Sequence, residues 1–372
     1  MHNPGASALE SATIASLIVD YARFQDLLAL SASCKALNAP AEKVLYRAFS
    51  VSDPNKAYRI CQTLSSNSHL AQHVRYFALL YRQSRNTSMS WAAPLPIQFW
   101  RAVHHALNSM TRLESLVMSD PSGLPRGDSY TWVLPAEADF RLRELRIQMP
   151  WDEDSAAFVA RQRHLHSLQS TEISDAYVFP VANPLDRSEP LLPLLEILDA
   201  PFRVARQFLD SPLTHLQVFP DIVDSEDCDT LEFISHLWRV RKTLRSLCIH
   251  DMHEPRVVEV LRLAARNCPS ILYIGILPLP PVSRTAIHAS LFSFPKLAML
   301  EIDLGAWNPA AQAPMQKALA TELHTYCPAL RVLIIWLNNH RFVWRLQYDT
   351  GTPQWVGRVE SAGGGAGWRH VP

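Results

Sequence analysis

One short phrase constrains this chain more than anything else in it: an apolar residue, two variable ones, an apolar residue, one variable, then another apolar. It reads Leu113-x-x-Leu116-x-Met118, Leu142-x-x-Leu145-x-Ile147, Leu192-x-x-Leu195-x-Ile197, Leu213-x-x-Leu216-x-Val218, Leu244-x-x-Leu247-x-Ile249, Ile271-x-x-Ile274-x-Ile276, Leu297-x-x-Leu300-x-Ile302 and Leu330-x-x-Leu333-x-Ile335. Val74-x-x-Phe77-x-Leu79 and the shorter Leu165-x-x-Leu168 extend the series, and from Leu113 onward the starts lie 29, 23, 27, 21, 31, 27, 26 and 33 residues apart. Alternation in the last three positions puts two side chains on one face of a short strand. Helical spacing fills the gaps, as in Ser155–Phe158–Val159 behind the acidic cap candidates Asp152 and Asp154, the stripe Leu231, Ile234, Leu237 and Trp238, residues 257–264, and residues 318–323. Each unit reads as strand, turn, helix and return. One such unit cannot bury both its strand and its helix, so neighbours have to stack.

Proline and glycine agree with that plan. The 372 residues contain 27 Pro and 11 Gly. Cys268-Pro269, Phe294-Pro295 and Cys327-Pro328 place Pro where a helix stops before a strand, and Pro150, Pro201, Pro220 and Pro278 are expected to close strands. The few glycines form neither G-x-G-x-x-G nor G-x-x-x-x-G-K, which excludes nucleotide loops of those kinds.

Charge and cysteine usage narrow the class further. Lys+Arg and Asp+Glu are 35 each, so the broad basic field of a nucleic-acid binder is missing. Six scattered cysteines without C-x-x-C suit a reducing compartment. The longest apolar stretch, residues 271–282, holds three prolines and falls short of the roughly 20 residues that span a bilayer. Residues 14–19 are apolar but flanked by Glu10 and Asp20 with no basic segment before them, unlike a signal peptide. The expectation is a cytoplasmic or nuclear protein with no membrane and no nucleic-acid partner.

Local chemistry is sparse. His250 and His253 with Asp251 and Glu254 form the best metal-like cluster, and an ordinary polar turn opening a helix explains them better. The acidic residues within 221–229 lack the glycine and final Glu of a calcium loop. Cys268 and Cys327 occupy equivalent positions, as small buried packing residues would. Trp344, Leu346 and Tyr348 against Trp355, Gly357 and Val359 read as a closing hairpin at 346–360, with a flexible tail at 361–372. No catalytic residue, metal or cofactor is expected, and the chain does not read as an enzyme.

Residues 8–50 have another texture, three helical segments without the phrase. The first apolar face is Ile14, Leu17, Ile18 and Tyr21; the second holds Leu27, Leu28 and Leu30; a third segment runs from Lys35 to Phe49, with Pro40 predicting a kink or late start. So small a module cannot be stable on its own core and is expected to pack against the repeats or a partner.

The repeated phrases resemble leucine-rich repeats over about residues 70–345. The family's Asn or Cys eight positions after the first Leu occurs only as Asn338; Pro121, Pro150, Ala200, Asp221, Met252, Leu279 and Gly305 stand there elsewhere. The opening module resembles an F-box through Asp26-Leu27-Leu28-Ala29-Leu30-Ser31, Cys34-Lys35 and Leu45-Tyr46-Arg47, although the family's opening Leu-Pro pair is missing. The whole is similar to fungal F-box proteins with degenerate leucine-rich repeats. That resemblance implies an α/β fold: a three-helix module at 8–50 and an irregular leucine-rich-repeat solenoid at 51–345. It implies docking of a Skp-type subunit of a cullin ubiquitin ligase through Leu17, Ile18, Leu27, Leu28, Cys34, Lys35 and Leu37, with an unknown target protein bound by the solenoid. The alternative is a protein-binding scaffold without a ligase link, its helices acting only as a cap.

Overall fold

The structure, a computed structural model, describes residues 12–80, 95–119, 130–173, 189–220, 228–338, 340–349, 352–360 and 369. It divides into two compact units, residues 1–165 and 166–372.

The first unit begins with helices α1 (Ala12–Tyr21), α2 (Phe24–Ser33) and α3 (Lys35–Leu45). Ala15, Val19, Leu27, Leu37 and Ala41 bury one another between them, so the module has a small core of its own. Helix α3 carries Pro40 inside it and starts at Lys35, so the late start does not occur. It also stops at Leu45, short of Phe49, where the Tyr46 N–H caps it on the Glu42 carbonyl at 2.9 Å. Strand β1 (Ala48–Val51) follows, then α4 (Pro54–Ser66), α5 (Ser68–Ala71), β2 (Tyr76–Leu79), α6 (Ile97–Ser109), β3 (Ser115–Ser119), β4 (Glu144–Trp151) and α7 (Glu153–Arg161). Strands β1 to β4 pair parallel in chain order. Asp152 caps α7 by accepting from the Ser155 N–H at 3.0 Å, and the Ser155 hydroxyl accepts in return from the Asp152 N–H at 2.8 Å. Pro150 does not close β4, which continues to Trp151. Pairing with β3 ends at Gln148, so the N–H that Pro150 lacks has no β3 carbonyl to miss.

The second unit contains β5 (Ser167–Ile173), β6 (Ile197–Pro201), α8 (Phe202–Arg206), β7 (His215–Phe219), α9 (Cys228–Ser235), β8 (Ser246–Ile249), α10 (Val257–Asn267), β9 (Tyr273–Pro278), α11 (Arg284–Leu291), β10 (Met299–Asp303), α12 (Ala313–Tyr326), β11 (Val332–Leu337), β12 (His340–Asp349) and β13 (Thr352–Glu360). Strands β5 to β11 are parallel in chain order, and β12 and β13 close the series as an antiparallel hairpin. That hairpin starts at His340, not at 346, and β12 lies between β11 and β13, with its residues 341–345 paired to both. The chain is therefore α/β, with mostly parallel strands and a helical N-terminal region.

The repeated phrase maps onto rows of buried side chains. In the second unit Leu168, Leu198, Leu216, Leu247, Ile274, Leu300 and Leu333 lie side by side in register, all buried. In the first unit Phe77, Leu116 and Leu145 do the same, and the row reaches back to Phe49. This register moves one phrase: the unit read as Leu192-x-x-Leu195-x-Ile197 is Leu195-x-x-Leu198-x-Ala200, since Leu198 pairs with Leu168 and Leu216. The last apolar position fails once. Ile276 sits at a positive φ of 52°, β9 bulges, and Leu277 takes its place opposite Ile302. The stripe in α9 is also shorter than expected: a 3-10 turn, His236–Val240, follows Ser235, burying Leu237 but exposing Trp238 beneath the Arg239 guanidinium.

Backbone bonds tie one strand-helix segment to the next at the start of the strands. A single carbonyl just before each strand accepts two successive N–H groups from the following unit: Thr214 from Arg245 and Ser246, Arg245 from Leu272 and Tyr273, Leu272 from Ala298 and Met299, and Ala298 from Arg331 and Val332, at 2.7–3.1 Å. Cys268 and Cys327 end α10 and α12 as helix caps, and their thiols donate to the Leu237 and Leu291 carbonyls of the preceding unit at 3.2 and 3.4 Å. Their burial therefore has a second cause beside packing.

Candidate functional site

Helix α1 turns its large side chains outward. Its core contacts are Ala15 and Val19, small residues at i and i+4, while Ile14, Leu17, Ile18 and Tyr21 follow the i, i+3, i+4, i+7 spacing of one face and are all exposed. Phe24 and Leu28 extend exposed apolar surface onto α2. A soluble surface normally scatters such residues singly, and a contiguous cluster marks an interaction face.

The seven residues assigned to docking separate into two groups. Leu17, Ile18, Leu28 and Lys35 are exposed, and Cys34 is half-buried. Leu27 and Leu37 are not surface residues. At 1 % and 6 % exposure they lie in the core shared by the three helices, beside Ala15, Val19 and Ala41. The exposed apolar face therefore lacks these two and includes Ile14 and Tyr21, which the α1 periodicity marks as apolar but could not mark as exposed, together with Phe24 of α2. Around this face the Arg23 guanidinium pairs with Asp26 at 2.9 Å, and the Ser31 hydroxyl donates to Asn38 Oδ1 at 2.7 Å, fixing α2 against α3.

A second group of polar side chains lies on the strands, on the face opposite the leucine rows. The Tyr273 hydroxyl donates to Glu301 Oε2 at 2.5 Å, the Trp336 indole N–H donates to Glu301 Oε1, and Arg341 pairs with Glu360. Burial pushes the Tyr273 phenol and the Cys248 thiol well above their ordinary ranges, the negative charge of Glu301 adding to both. Such groups stay protonated, so they donate hydrogen bonds instead of acting as nucleophiles. Cys61, Cys268 and Cys327 are likewise pushed up to about 12, chiefly by burial.

His250 and His253 flank a turn in which Asp251 has a φ of 50°, and a 3-10 turn, Glu254–Arg256, leads into α10. Among the described residues no three His, Cys, Asp or Glu side chains are grouped to hold a metal ion. The acidic segment 221–227 and most of the tail lie outside the described residues. No described helix is long and apolar enough to cross a membrane. Compared with known protein families and with curated proteins, the chain matches no family and no individual protein.

Proposed function

We propose that this protein is a non-catalytic adaptor that docks a Skp-type subunit of a cullin ubiquitin ligase through α1 and α2 and binds a target protein with a solenoid of strand-helix units. The observation that carries the docking half is the outward apolar face Ile14, Leu17, Ile18 and Tyr21, continued by Phe24 and Leu28. Helix-on-helix contact buries such a face, and each fully buried Leu or Ile contributes about 1.5–3 kcal/mol. The solenoid reading is supported by the register of equivalent buried residues from strand to strand and by the repeated carbonyl that accepts two N–H groups. A cap-only reading accounts for Leu27 and Leu37 but leaves the exposed face of α1 without a role.

Co-purification of the full chain with a Skp-type subunit tests the proposal. The wild type retains the subunit, whereas Leu17→Asp/Leu28→Asp, which alters exposed positions only, loses it while staying folded. A wild-type chain that never retains the subunit removes the ligase link.

A further inference from the structure

The closing hairpin carries arginines on the face opposite the leucine row. Leu333 of β11 pairs with Trp344 of β12, and Trp344 with Gly357 of β13, so this row lies on the core side. Alternation turns Val343, Arg345 and Gln347 of β12, and Val356, Arg358 and Glu360 of β13, to the other side. These six residues line one open pocket of about 140 Å³. Val343 is buried, whereas both Arg345 and Arg358 are exposed.

The register sets the two arginines beside each other. Arg345 stands opposite Val356 and Arg358 opposite Val343, so they are diagonal neighbours on adjacent strands, about 7–8 Å apart at the backbone. Side chains as long as arginine converge on one small ligand from that spacing. A third arginine of the same face, Arg341, pairs with Glu360 across the hairpin, and its side chain is 9 % exposed. Those two charges cancel. Among the described residues Arg345 and Arg358 make no ion pair and no hydrogen bond, which leaves two positive charges around one pocket. Glu301 does not neutralise them: it lies three strands from Arg358, about 14 Å at the spacing of a sheet, and Tyr273 and Trp336 donate to it.

Two like charges held together by a β-ladder repel, and an oxyanion between them turns that repulsion into attraction. A carboxylate brings one charge and two oxygens. A phosphate group brings close to two charges and three acceptor oxygens, which matches two guanidinium forks with the Gln347 amide beside them. The pocket holds more than the anion alone, since one water occupies about 30 Å³ of liquid volume, and Val343 and Val356 offer apolar contact to a carbon that carries the phosphate. We propose that Arg345, Arg358 and Gln347 form a binding site for a phosphate group. The site is independent of whether α1 and α2 dock a ligase subunit.

The test is a ³¹P NMR titration of inorganic phosphate and of O-phosphoserine with the full chain at pH 7.5. Wild type shifts the phosphorus resonance saturably. Arg345→Gln and Arg358→Gln, both at exposed positions, each weaken binding at least about tenfold, and the double variant removes it. Affinity in the wild type falls between pH 7.5 and 5.5, as the phosphate takes up its second proton near pH 6. Tighter binding of O-phosphoserine identifies an esterified phosphate as the occupant, and equal or tighter binding of inorganic phosphate identifies the free anion. No saturable shift with either probe, the same affinity in the double variant, or displacement of the phosphate by an equal concentration of acetate overturns the proposal.

Discussion

The Tyr273 hydroxyl reaches Glu301 Oε2 across 2.5 Å because Gly275 leaves room for the ring to lie along its own strand. A methyl at position 275 would stand 2.7 Å from two ring carbons of Tyr273. Tyr273→Phe removes a donor from a buried carboxylate and is expected to cost about 1–3 kcal/mol in urea unfolding. Gly275→Ala displaces the same hydroxyl, so the double variant costs less than the sum of the two. Strict additivity would separate the two residues.

Leu27 and Leu28 are neighbours with opposite fates. Leu27→Ala opens the core of the N-terminal helices and should cost about 2–5 kcal/mol, while Leu28→Ala should stay within about 0.5 kcal/mol. Hydrogen exchange of α1 to α3 measures both. Similar losses for the two would mean that the helices are rotated from the arrangement described here.

His288 gives the fold a pH dependence. It is fully buried on α11, with Nδ1 3.1 Å from Glu322 Oε1 and its ring 5.2 Å from that of Tyr326. Burial lowers its pKa below the usual 6.5; Glu322 opposes the shift and Arg284 adds to it. The unfolded chain therefore takes up the proton first, so stability is fully present above about pH 6.5, falls on acidification below it, and levels off once the folded ring is protonated too. Thermal midpoints measured from pH 7.5 to 5 should fall, and His288→Leu should flatten that fall. An unchanged slope in the variant contradicts the assignment.

Thiol labelling separates the cysteines by burial. Among Cys34, Cys61, Cys248, Cys268 and Cys327, only Cys34 is partly accessible, at the α2–α3 junction. Mass spectrometry under native conditions should find Cys34 modified first and the other four only on the time scale of unfolding. Early modification of Cys268 or Cys327 would contradict their place between successive units.

The strands were legible because buried residues recur at the same three positions, and the closing hairpin because its aromatic residues alternate. The phrase at Leu192 could not be placed from sequence, since a shift of three residues also matches and both Leu192 and Leu195 are buried; only the pairing of Leu198 decides. At the proposed docking face, apolar periodicity identifies the stripe on α1, but not that the smaller Ala15 and Val19 face the core. Tyr273 and Glu301 are 28 positions apart, and Arg369 and Gln169 are 200 apart. Spacing along the chain carries no trace of such contacts.

Isothermal titration of the purified full chain into a Skp-type subunit tests the central claim most directly. The account predicts saturable one-to-one binding with a negative heat-capacity change from apolar burial, weakened at least about tenfold by Leu17→Asp/Leu28→Asp. No heat of binding with the wild type, or equal affinity in wild type and variant, would contradict it.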